Sequence, residues 1–116
     1  MKNLDERKSR YLRDSLPIRM GGLASNLARV GSYSIHDGGK IVVIGLLEEA
    51  KYFIEWTANE YDLSTTVELV DIQRLLANWH LNIDSIWNDS AKRKEIGDHA
   101  KKISVRLLLK SGLLDQ

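Results

Sequence analysis

The sequence predicts an all-α fold, an up-down-up-down four-helix bundle whose first helix is kinked or split at Pro17. Three observations predict it. Apolar residues recur at steps of three and four along nearly the whole chain, which stacks side chains on one helix face. No stretch sustains the period-two alternation of a half-buried strand. The breaks between apolar stripes hold capping and turn residues, and they are short, about three to eight residues, as antiparallel neighbours require. At 116 residues, 43% of them apolar, the chain can bury one core, and residues 1–116 are read as a single domain.

The first helix is expected over 4–31, with Leu12, Leu16, Met20, Leu23, Leu27 and Val30 on its buried face. Pro17 lacks an N–H and its ring clashes with the preceding turn, so the helix kinks there or restarts with Asp14 or Ser15 as cap. Gly31 to Gly39 holds three glycines, two serines, His36 and Asp37. It reads as a break, with Asp37 as the N-cap of a second helix over 38–60. That helix carries Val43, Leu47, Ala50, Ile54, Thr57 and Tyr61. The run Ile41-Val42-Val43-Ile44 has strand propensity but flows into helix-forming Leu46-Leu47-Glu48-Glu49-Ala50. A third helix is expected over 66–88, where Leu69, Ile72, Leu76, Trp79, Ile83 and Ile86 follow a 3-4-3-4-3 rhythm. Thr65 and Glu68 have the spacing of a capping box at its start. Asn88-Asp89-Ser90 supplies the cap of a fourth helix over 91–111, built on Ile96, Ala100, Ile103 and Leu107 and ended by Gly112. The predicted core is Leu27, Leu47, Ile54, Ile72, Leu76, Trp79, Ile83, Ile103 and Leu107.

The formal charge of +1 hides a sorted distribution. Residues 1–34 carry seven Lys/Arg against three Asp/Glu, residues 35–90 three against ten, and residues 91–116 seven against three. The surface field follows local charge, so the molecule is basic at both ends of the chain and acidic between. Arg7, Lys8, Arg10 and Arg13 at the start, with Lys92, Arg93, Lys94, Lys101, Lys102, Arg106 and Lys110 near the end, are candidates for a nucleic-acid or anionic-lipid surface if the first and last helices merge their faces. The competing expectation is that these basic helices pair with acidic ones.

Several chemistries are excluded or left without a motif. The chain has no cysteine, which excludes disulfides, thiol nucleophiles and thiolate metal sites and fits a reducing compartment. The first residues lack the apolar core of a signal peptide, and no apolar run approaches the ~20 residues that span a bilayer. A soluble cytoplasmic domain is therefore expected. Ferritin-like carboxylate sites need Glu-x-x-His on two helices, and that motif is absent. Glu48 and Glu49, His80 with Asp84, and Glu95 with His99 supply pairs of ligands but no set, so no metal and no cofactor are expected. Gly21-Gly22 and Gly38-Gly39 fit neither phosphate-loop pattern. No Ser-His-Asp arrangement can be inferred.

Arg74-Leu-Leu-Ala-Asn-Trp-His80 is the one segment with a catalytic spacing. It resembles the Arg-x4-6-His signature of HEPN-type helical ribonucleases, small four-to-five-helix domains that are often dimeric. The resemblance implies His80 as acid–base and Arg74 as the stabiliser of phosphate charge. Two departures weaken it. Leu75 stands where the signature usually has a polar residue, and the motif lies on the third helix rather than near the last. Arg93 and His99 repeat the spacing by chance.

The second helix has more apolar residues than one buried stripe needs. Val42, Leu46, Phe53 and Trp56 form a second stripe at near-heptad spacing. A wider core would absorb it. A subunit interface would use Trp56 and Phe53 as anchors, in a self-complementary homodimer. Tyr52 and Trp87 fit either arrangement.

The stretches Asp14-Ser15-Leu16-Pro17, Leu23-Ala24-Ser25-Asn26-Leu27-Ala28-Arg29, Phe53-Ile54-Glu55-Trp56-Thr57-Ala58 and Ser111-Gly112-Leu113-Leu114 resemble a group of short, uncharacterised helical proteins from cyanobacteria. The resemblance spans most of the chain, implies a bacterial cytosolic setting, and carries no site residues. The function expected from the sequence is association, as a homodimer and with a protein partner, rather than catalysis. The ribonuclease and a nucleic-acid-binding accessory module are the alternatives.

Overall fold

The computed structural model describes residues 3–115. Among them every regular element is helical: α1 (Leu4–Arg13), α2 (Leu16–Tyr33), α3 (Lys40–Thr57), α4 (Leu63–Leu81), α5 (Ile83–Trp87) and α6 (Ser90–Ser111), with 3-10 turns at Asp37–Gly39, Ala58–Glu60 and Leu113–Asp115. The all-α expectation holds. Six α-helices stand where four were expected, and both extra boundaries have local causes.

The first is the split at Pro17. Asp14 and Ser15 are extended, and Pro17 sits in the first turn of α2, where its missing N–H costs nothing. The second is at Asn82, between α4 and α5. The Asn82 amide donates to the Asn78 carbonyl at 2.9 Å, and Ser85 Oγ donates to the Asn82 carbonyl at 3.0 Å. Such side-chain bonds compete with the helical ladder.

Two caps also differ from expectation. Asp37 is not the N-cap of α3; Gly39 is. Asp37 lies in the preceding turn, where its carbonyl accepts from Trp87 Nε1 at 2.8 Å and its carboxylate pairs with Arg93 at 2.5 Å. Glycine is required at 39 because a Cβ there would collide with the Tyr33 carbonyl. Thr65 and Glu68 form no capping box, because α4 starts earlier. Asp62 caps it, accepting from the Thr65 N–H at 2.8 Å, and hydrogen bonds from Thr65 hold its carboxyl below the usual carboxylate range. Asp89 caps α6 through the Ala91 and Lys92 N–H groups, and Gly112 ends it at φ 80°.

Neighbouring long helices run antiparallel. Tyr61 Oη donates to the Leu16 carbonyl, and Asn26 Nδ2 donates to the Leu46 carbonyl at 3.0 Å, which fixes α3 against α2. Gln73 Nε2 donates to the Lys51 carbonyl and Thr66 Oγ1 to the Ala58 carbonyl, which fixes α4 against α3. Ser104 Oγ donates to the Ala24 carbonyl at 2.6 Å, at the close crossing of α2 and α6. Lys110 reaches Glu68 and Trp79 meets His99 edge-on, so α6 also runs antiparallel to α4. All nine residues of the predicted core are buried, joined by Met20, Leu23, Val30, Val43, Leu46, Leu69, Ile86 and Ile96.

Gly31 and Gly45 set up a paired test of the helix packing. A Cβ at Gly31 would lie 2.5 Å from Lys101 Cγ and 3.0 Å from the Gly97 carbonyl, whereas a Cβ at Gly45 meets nothing within 4 Å. Gly45→Ala should raise stability by about 0.5–1 kcal/mol through helix propensity. Gly31→Ala should lower it by about 1–3 kcal/mol, because overpacking at the α2–α6 crossing outweighs the same gain. Urea unfolding of the two variants checks the opposite signs.

Candidate interaction surface

The second apolar stripe of α3 has an intramolecular neighbour. Leu46 is buried in the core, its carbonyl bound by Asn26. Phe53 is half-buried and stacks on Tyr11 of α1, with centroids 4.0 Å apart and planes within 2°. Trp56 is half-buried and flanks the same cluster, 6.0 Å from Tyr11 and 5.5 Å from Tyr52. Of the four residues expected to form the interface, only Val42 is exposed. Trp87 packs against the core edge and donates to Asp37.

What holds α1 in place is Arg19, only 8% exposed. Its Nε donates to the Asp14 carbonyl at 2.8 Å, its Nη2 to the Leu12 carbonyl at 2.7 Å, and its Nη1 pairs with Glu60 at 2.8 Å. The guanidinium thus satisfies carbonyls at and just beyond the α1 C-terminus, where a cation is favoured. In return Tyr11 Oη donates to the Arg19 carbonyl at 2.9 Å. Burial pushes the Tyr11 phenol above its ordinary pKa, so it remains a neutral donor. One turn before Tyr11 on α1, Arg7 pairs with Glu49, which also accepts from Asn26.

The first basic cluster lies on α1 and the second on α6. The main contact of α1 is with α3, while α6 packs chiefly on α2. Many of the cations also have acidic partners: Arg7 with Glu49, Arg10 with Glu6, Arg93 with Asp37, Lys94 with Asp98, and Arg106 and Lys110 with Glu68. Arg7, Arg93, Arg106 and Lys110 pair with acids of other segments, as the competing expectation has it, whereas Arg10–Glu6 and Lys94–Asp98 are pairs within one helix.

Arg74 and His80 share α4 but do not converge. Six residues turn the helix by about 600°, which leaves the two side chains roughly 120° apart. Arg74 is exposed, and among the described residues it has no ion-pair partner. His80 Nδ1 lies 2.9 Å from Lys51 Nζ, in a polar cleft of about 330 Å³ between α3 and α4 also lined by Glu48, Tyr52, Glu55 and Gln73. Among the described residues no group of three His, Asp or Glu is placed to hold a metal ion.

Uncovered apolar residues include Ile41 on α3 and Val105 and Leu109 on α6, and the longest run of them lies on α4. Leu63, Val67, Val70, Arg74, Ala77 and Leu81 follow steps of 4-3-4-3-4 and share its outer face, opposite the core stripe of Leu69, Ile72, Leu76 and Trp79. Leu63 is 80% exposed, Val67 53%, Val70 36% and Leu81 84%. These steps average about 3.6 residues, the helical period, so the side chains form one straight apolar strip along the helix rather than scattered surface residues. Sequence reasoning missed this stripe although its signal is in the sequence. Starting the helix at 66 removed Leu63 from view, and the cleaner rhythm of the core stripe masked a second one on the same helix.

The chain matches no family model, no curated protein and no solved structure. No helix of the described residues is long and apolar enough to cross a membrane.

The Arg19 clamp generates a direct test. Arg19→Met removes the donors to two helix-end carbonyls and the partner of Glu60, and should cost about 2–4 kcal/mol. Arg19→Lys should not restore the loss, because an ammonium cannot span that fork. The α1 segment should become protease-sensitive in both variants, while far-UV circular dichroism retains most of the helical signal.

Proposed function

We propose that this chain is a protein-interaction module that docks an apolar helix on the outer face of α4. On this reading α2, α3, α4 and α6 act as an antiparallel four-helix frame that presents the outer face of α4, and the protein works in the cytoplasm by association rather than by catalysis. The observation that carries the reading is the exposed seam Leu63-Val67-Val70-Ala77-Leu81, which runs the length of a 19-residue helix already apolar on its inner face. A peripheral helix needs one apolar stripe to fold. A second one, on the solvent side, adds nothing to the stability of the lone chain and is explained by a partner. Polar residues Ser64, Asp71 and Asn78 border it on one side and Thr66, Gln73 and His80 on the other, the arrangement of an apolar centre with a polar rim. The ribonuclease alternative loses support because Arg74 and His80 project apart, and the nucleic-acid alternative because so many of the cations are in ion pairs.

A photo-cross-linking amino acid at position 70, with position 98 on the outer face of α6 as control, tests the reading in the host cell. A discrete protein adduct from position 70 and none from position 98 is expected. Equal labelling from both positions, or none from either, would contradict it.

A further inference from the structure

We infer that the occupant of the α4 face is a second copy of this chain, with the two α4 helices antiparallel across a two-fold axis that crosses the outer face at the level of residue 72. The inference rests on the reading of that face as a docking surface, and three observations extend it to this partner.

The seam is its own complement when reversed. Rotation about that axis sets Leu63 opposite the partner's Leu81, Val67 opposite the partner's Ala77, and Val70 opposite the partner's Arg74. Large apolar residues therefore close both ends, and a valine meets an alanine between, the self-matching an isologous interface requires. A parallel pairing would instead set Arg74 against the partner's Arg74 within the seam, two like charges face to face.

The charge in the seam also finds its counterpart. Arg74 interrupts the apolar stripe, and Asp71 lies on the flank towards which it leans. Among the described residues neither makes an ion pair within the chain. In the antiparallel arrangement a given flank meets the same flank of the copy. Each Arg74 then comes beside the partner's Asp71, one residue away along the axis, and two symmetric ion pairs form next to the two-fold axis.

The ends of the seam have somewhere to go. Beside Leu81 lies a depression of about 390 Å³ lined by Lys51, Ala77, His80 and Leu81. The partner's Leu63 falls at that level. A single helix seam of about 28 Å is at the small end of protein interfaces, so a micromolar dimer is expected rather than a permanent one.

The described chain has no cysteine, so introduced thiols report the orientation cleanly. Purified Leu63→Cys and Leu81→Cys proteins, of different tag length, are oxidised separately and as a mixture. A disulfide-linked heterodimer should form in the mixture and little should form in either protein alone, because like positions lie about 27 Å apart along antiparallel helices. Sedimentation velocity supplies the affinity. Leu63→Glu with Leu81→Glu should raise the dimer dissociation constant at least about tenfold while circular dichroism stays unchanged. Arg74→Asp and Asp71→Arg should each raise it several-fold, and the two together should return it close to the parent value. Homodimeric disulfides from either single variant would overturn the antiparallel pairing. A parent that remains monomeric into the millimolar range would overturn self-association; a foreign adduct at position 70 in that case would leave the docking face itself standing. A dimer indifferent to the α4 substitutions would overturn both.

Discussion

The Arg19 guanidinium is the contact on which the placement of the surface depends. One buried cation binds the end of α1, the link to α2 and the turn after α3, so three separate pieces of chain converge on it. Its desolvation is offset because all three of these nitrogens have an acceptor at 2.7–2.8 Å. With α1 fixed in this way, Tyr11 covers Phe53 and Arg7 reaches Glu49. Phe53 and Trp56 of α3 are thereby partly covered within the chain, while Ile41 and Val42 stay exposed. The apolar excess of α4 has no such cover, and that difference is what turns one helix into scaffold and the other into surface.

The α2–α6 crossing is the second constraint. Gly31, Gly97, Ala24 and Ser104 allow the backbones to approach closely, and the Ser104 hydroxyl bonds a carbonyl of the facing helix. On the opposite side α4 and α6 stand farther apart, leaving a groove of about 410 Å³ lined by Leu75, Ile103 and Arg106 among others. Polar contacts from Glu68 to Arg106 and Lys110 bridge it. The frame is therefore tight where small residues sit and looser along α4, the helix that carries the exposed seam.

The fold was legible wherever a single physical signal decided the outcome. Steps of three and four placed all nine expected core residues, Pro17 marked the first split, and Gly112 marked the last helix end. Legibility failed where several residues competed for one role. Asp37, Gly38 and Gly39 are all plausible at a helix start, and a backbone contact with Tyr33, invisible in the sequence, decides for Gly39. Asp62 and Thr65 are both good caps, and the chain uses the earlier one. The break at Asn82 needs the Asn78 and Ser85 partners in place before it can be seen. For the candidate surface, the stripe on α3 was read as an interface or a wider core; Leu46 lies in the core and α1 covers Phe53 and Trp56, and which of two apolar stripes a short basic helix will cover is a tertiary question.

Amide chemical shifts followed through a dilution series test the account most directly, because they report every residue of the folded protein at once. If α4 is the working surface and pairs with its own copy, the concentration-dependent shifts should centre on Leu63, Val67, Val70, Arg74, Ala77 and Leu81, with residues of α6 such as Asp98 and Lys102 unmoved. Shifts centred on Val42 and Trp56 of α3, or a spectrum unchanged from micromolar to millimolar concentration, would contradict it.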